Sequence, residues 1–93
     1  MNETLIDFNS IAKACWENKY GVTTPPKFEE VDELTLQEIS DLLCYVESIE
    51  CFDGYLELRK YLIEALKTLL TLAHIKQINL NDFFKISLNL PEQ

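Results

Sequence analysis

Apolar residues recur at three- and four-residue steps over most of this chain. Leu5, Phe8, Ile11, Ala12, Cys15 and Trp16 form one such series, the signature of a helix with a single apolar face. It predicts a first helix over about 3–20, stopped by Gly21, which can adopt a left-handed backbone. The stretch 21–34 reads as a linker, because Pro25-Pro26 bars helix and favours an extended path.

A second series, Leu36, Ile39, Leu42, Leu43, Val46 and Ile49, predicts a helix over about 35–50 with that stripe turned to the core. Thr35-Leu-Gln-Glu38 spells a capping box for its start. Glu38, Asp41 and Tyr45 then fall together on the opposite, outward side. Asp53 is placed to cap a third helix over about 54–77. This is the longest, and its polar strip is narrow: Glu57, Lys60, Glu64, Lys67 and Thr71.

The rest of the third helix is apolar. One stripe holds Tyr55, Leu58, Leu62, Ala65, Leu66, Leu69, Leu72 and Ala73. A second, at seven-residue spacing, holds Leu56, Ile63 and Leu70. A helix apolar over more than half its girth has to be covered from more than one direction. It is expected to be the central helix, and Leu56, Ile63 and Leu70 mark a possible seam with a second copy. The tail gives two signals. Asn81-Asp82 before Phe83 suggests a capped short helix over about 82–89, while Phe84, Ile86, Leu88 and Leu90 alternate with polar residues as a strand would. A lone strand lacks a partner in this chain, so the helix is preferred.

These elements make an all-α fold: a single domain, 1–93, built as a small bundle of three main helices and a short C-terminal fourth, with the third helix central. A hydrophobic fraction of 47% suits a folded chain, and two glycines and three prolines are too few for the turns of an all-β fold. The start lacks a signal peptide's basic and apolar segments, and no stretch is long and uncharged enough to span a membrane. Cys15, Cys44 and Cys51 form no CxxC pair and read as reduced thiols. Together these features point to a cytoplasmic protein.

Charge adds the one feature that narrows function. From Phe28 to Leu58 there are ten acidic residues, from Glu29 to Glu57, and no Lys or Arg. The whole chain carries −8, so the excess lies entirely in that window. Such a field repels nucleic acid and anionic lipid and attracts basic surfaces. A charged run is commonly no more than a solvated face. Here, however, apolar and aromatic residues interleave with the acids, as in a protein interface. The expected function is therefore binding rather than catalysis. The chain would occlude a basic surface on a partner protein, such as a nucleic-acid-handling enzyme or toxin, in the manner of small acidic inhibitors. The candidate contacts are Phe28, Glu29, Glu30, Asp32, Glu33, Glu38, Asp41 and Tyr45. A self-associating module through Leu56, Ile63 and Leu70, with room for a small ligand at the interface, is the alternative.

No metal or cofactor is called for. His74 is the only histidine and has no Cys/His companion at zinc spacing, and no Gly-rich phosphate loop exists. One enzymatic alternative comes from the carboxylates. Glu38-Ile-Ser-Asp41 resembles the ExxD helix of the all-α nucleotide pyrophosphohydrolases, and Glu29-Glu30-Val-Asp32-Glu33 resembles their EExxE motif. The resemblance covers about fifteen residues and implies carboxylates that jointly hold magnesium against a nucleotide's phosphates. In that family the motifs lie on separate, facing helices, whereas here Glu33 and Glu38 are neighbours in sequence.

Overall fold

The computed structural model describes residues 6–51 and 54–87. Four helices follow one another: α1 (Phe8–Tyr20), α2 (Val31–Cys51), α3 (Tyr55–Ile75) and α4 (Leu80–Ser87). A short 3-10 turn, Phe28–Glu30, leads into α2. No strand occurs among the described residues. The helix α3 is central, packing against α2 along its length and against α1. The short α4 folds back on α1. This is the expected all-α bundle of three long helices and a short fourth.

Each boundary has a local cause. Asp7 caps α1 by accepting from the Ser10 amide at 3.1 Å. Gly21 ends α1 in the left-handed conformation at φ 71°, and its amide donates to Glu17 O at 2.9 Å. The first helix thus begins later than expected; positions 3–5 of that reading lie outside the described residues. Gly54 precedes α3, and the proposed Asp53 cap also lies outside them. Gln77, at φ 56°, turns the chain after α3.

The expected linker over 21–34 is shorter. Once past Pro26 the chain enters the 3-10 turn, and α2 starts at Val31 rather than at residue 35. Asp32 and Glu33 supply acidic charge in its first turn, where the helix dipole favours it. Thr35 is therefore a full turn inside the helix. Its hydroxyl donates to Val31 O at 2.6 Å, so it forms no capping box with Glu38.

The core sits between α1 and the hairpin of α2 and α3. Trp16 and Ile75 are its largest apolar members, with Ala12, Ala65 and Ala73. Burying side chains of the size of Trp16 and Ile75 contributes about 1.5–3 kcal/mol each. Trp16 stacks 4.5 Å from Tyr20 and 5.8 Å from His74. Its indole donates to Thr24 O at 3.0 Å, which ties the loop after α1 to the core. Thr68 and Thr71 are buried in α3, and each hydroxyl donates to the carbonyl four residues back. Thr71, from the polar strip expected on α3, is thus inside.

The strand-like alternation after Phe84 does not form a strand; residues 84–87 are helical and 88–90 lie outside the described residues. Two asparagines explain why. Asn81 Oδ1 accepts from the Phe8 amide at 2.8 Å, and Asn9 Oδ1 accepts from the Leu80 amide at 2.7 Å. Each helix start is capped by a side chain of the other. Phe84 then stacks on Phe8 at 4.7 Å.

Candidate interaction surfaces

The orientation of α2 decides which residues are available for binding, and it differs from the pattern-based expectation. Lys19, near the end of α1, places its Nζ 2.7 Å from Glu38 Oε2 and 2.7 Å from Asp41 Oδ2. The Tyr20 hydroxyl donates to the same Glu38 oxygen. Glu38 is 0% exposed, Asp41 is half-buried, and Tyr45 is half-buried near Tyr61 of α3, with ring centres 6.4 Å apart. Glu38 thus faces the other helices, and Asp41 and Tyr45 are half-buried against them. The expected outward placement is corrected for Glu38, which is buried and joins α1 to α2, while Asp41 and Tyr45 keep part of their surface in solvent.

The cluster is electrostatically tight. Burial alone would lower the Lys19 pKa, but hydrogen bonds to Asp41 and Glu38 outweigh it and hold the ammonium well above its ordinary value. Burial and the Glu38 carboxylate both push the Tyr20 hydroxyl upward. Glu38 Oε1 is buried with no hydrogen-bond partner. An ammonium therefore fills the place between Glu38 and Asp41 where the ExxD resemblance would put a metal ion. The acids of the other motif are exposed on the 3-10 turn and the first turn of α2. Among the described residues, no three His, Cys, Asp or Glu side chains converge as a metal site would require.

With that face turned inward, the apolar stripe of α2 turns outward. Leu36 is 69% exposed and Leu43 57%, and Ile39 and Val46 are exposed beside them. Only Leu42 and Ile49 of the expected core stripe are half-buried. On α3, Tyr55, Leu62, Leu66 and Leu69 are exposed as well. Successive helical residues advance by about 100°, which places both series on one side of the hairpin. The contacts of α1 with Glu38, Asp41 and His74 place α1 on the other side. The hairpin is a two-helix layer, covered on one side by α1 and open on the other. Leu56 and Ile63, from the expected self-association seam, are exposed at the outer edge of the open side, and Leu70 is half-buried there.

The acidic turn is a second exposed feature. Phe28 is 92% exposed, and Glu29, Glu30, Asp32 and Glu33 surround it, all exposed. None of these acids makes an ion pair among the described residues. A cleft of about 410 Å³ lies beside them, floored by Trp16 and Tyr20 and rimmed by Pro25, Lys27, Glu30 and Glu33. A second, more open hollow of about 360 Å³ lies between Asn9, Lys13, His74 and Asn79. There burial, with Lys13 nearby, lowers the His74 pKa, which favours the neutral ring.

Of the cysteines, Cys44 and Cys51 are exposed and free, while burial raises the half-buried Cys15 thiol. No helix among the described residues is long and apolar enough to cross a membrane. Comparison with family profiles, with characterised proteins and with solved structures finds no match to this chain.

Proposed function

We propose that this protein is a helical interaction module, acting by binding another polypeptide through the open side of its α2–α3 hairpin rather than by catalysis. One observation carries the reading. Leu36, Ile39, Leu43 and Val46 of α2 face solvent in a continuous band with the exposed aliphatic residues of α3, while two of the α2 acids, Glu38 and Asp41, are used internally. Soluble chains rarely leave so large a contiguous apolar area in water unless it is a binding surface. A face made of two antiparallel helices offers ridges and grooves suited to further helices.

The test compares the tagged wild-type chain with Leu43→Asp. Both should show the same helical circular dichroism, because Leu43 lies on the open side. Proteins retained by the wild type, a second copy of the chain included, should be lost by the variant. Equal retention by both would sink the reading.

A second reading rests on the acidic turn. Phe28 is nearly fully exposed amid four carboxylates that make no ion pair among the described residues, which suits a basic partner steered by charge and anchored by one aromatic ring. Changing Glu29, Glu30, Asp32 and Glu33 to Lys should slow association with such a partner and flatten its salt dependence. Binding that is unaltered by those four changes would remove the turn as the contact.

A further inference from the structure

We propose that the open side of the hairpin is covered by a second copy of this chain, two-fold related, with α2 of each copy lying over α3 of the other. The proposal rests on the open-face reading above and names its occupant. The exposed residues of the face together present roughly 800 Å² to water, about one partner's share of a standard protein interface. A two-fold interface uses one patch on both copies, so the patch must complement itself.

Charge decides the arrangement. Every charged residue of α2 is acidic, whereas the charge of α3 that borders the open side is Arg59; its other charges, Glu57, Lys60, Glu64 and Lys67, lie off that side, and Lys67 is paired with Glu64. Two in-plane two-fold axes could close the layer. An axis across the helices stacks α2 on α2 and sets acid against acid. An axis along the helices stacks α2 on the partner's α3 and sets acid against base. The second also buries the aliphatic band of each α2 on that of the opposite α3, giving four helices around a shared apolar centre.

The hairpin fixes the register. Tyr45 and Tyr61 are paired across it, with ring centres 6.4 Å apart. Glu47 and Arg59 each lie two residues nearer the turn, so they are level. An axis along the helices preserves that level, which brings the partner's Glu47 to Arg59. Both lie at the outer rim of the open side: Arg59 one turn from Tyr55 and Ile63, Glu47 one turn from Leu43. Both are exposed, and neither makes an ion pair among the described residues. Two-fold symmetry forms the Glu47–Arg59 pair twice.

Sedimentation equilibrium on the full chain tests this. The wild type should be a dimer, and Leu43→Asp a monomer with unchanged helical circular dichroism. Glu47→Arg and Arg59→Glu should each weaken the dimer about tenfold, since each replaces two attractions by two repulsions. Mixing the two single variants should restore wild-type affinity, because each chain then meets the opposite charge on its partner. A wild type that stays monomeric at high micromolar concentration overturns the second-copy proposal. If Leu43→Asp is still folded in that case, the open face survives as a surface for a different protein. Loss of folding in both Leu43→Asp and Leu36→Asp overturns the open face itself. A dimer in which the mixed variants associate no better than either alone overturns the proposed arrangement.

Discussion

Lys19 of α1 sets its ammonium 2.7 Å from the buried carboxylate of Glu38 on α2. That pair, shared with Asp41 and Tyr20, turns the side of α2 that carries Glu38 inward and leaves Leu36, Ile39, Leu43 and Val46 in solvent. An ion pair at such a position is not cheap, since Glu38 is wholly desolvated and one of its oxygens is unpartnered. Its effect is orientation. Without Lys19, rolling the helix to bury Leu36, Ile39, Leu43 and Val46 would release Glu38 to water.

Removing the two partners should therefore have unequal consequences. Lys19→Met leaves Glu38 buried without its cation and should destabilise the chain by about 2–3 kcal/mol, below the usual cost for a fully buried pair because Lys19 is partly exposed. Glu38→Met leaves Lys19 free to pair with Asp41 and should cost about 1 kcal/mol or less. Urea unfolding of both variants checks this; equal losses would mean that the pair does not orient α2.

The same cluster sets the alkaline limit of stability. Lys19 and Tyr20 both have folded-state pKa values raised above their unfolded values, Lys19 through Asp41 and Glu38 against the effect of burial, Tyr20 through burial and Glu38. A raised pKa contributes stability that is complete below the unfolded value and is lost as pH rises toward the folded one. The urea midpoint should hold through neutral pH and fall above about pH 10. Tyr20→Phe should make that fall shallower. A midpoint unchanged to pH 11.5 would contradict the arrangement.

At the other end of the molecule, hydrogen bonds from Asn81 and Ser10 hold the Asp7 carboxyl at about 2, below its ordinary 3.8. A depressed pKa contributes stability that is present above the unfolded value and is lost as pH falls through the folded one. Acid should therefore loosen the α1–α4 junction between about pH 4 and pH 2, and Asn81→Ala should flatten that response. Asn9→Ala and Asn81→Ala should each cost about 1 kcal/mol, as removal of a helix cap does. Hydrogen exchange should show α4 amides released in both variants and α2 amides unaffected.

The helix count, the central place of α3 and the end of α1 at Gly21 are all legible in sequence, because each depends on local spacing or on one residue's backbone freedom. The face of α2 is not. Its two sides differ in polarity, and the apolar one is the natural choice for the core until Lys19, nineteen residues before Glu38, is brought to the other. The start of α2 is missed for a related reason. Thr35-Leu-Gln-Glu38 matches a capping box, but Asp32 and Glu33 already suit a helix N-terminus one turn earlier. The fourth helix owes its start to Asn9, a contact across seventy-one positions that no local pattern records. Phe28 and the acids around it were visible in sequence and are exposed as a binding turn would need; Leu43 and Leu66 were visible only as core.

Ile75 and Leu36 separate the two kinds of apolar residue in this chain. Ile75 is 1% exposed at the end of α3, and Ile75→Ala should cost about 2–5 kcal/mol at any protein concentration, because it leaves a cavity within one chain. Leu36 lies in water on an isolated chain, so at low concentration Leu36→Ala should change stability by less than about 0.5 kcal/mol. If a second copy covers the face, the wild type gains stability with concentration by mass action and the variant gains less. The difference between them should then grow as the protein is concentrated, while the Ile75→Ala difference, measured against wild type at the same concentration, stays fixed. Thermal unfolding at micromolar and near-millimolar chain concentration measures both. A Leu36→Ala cost that is already several kcal/mol at the lowest concentration would place this side chain inside the monomer's core and close the open face.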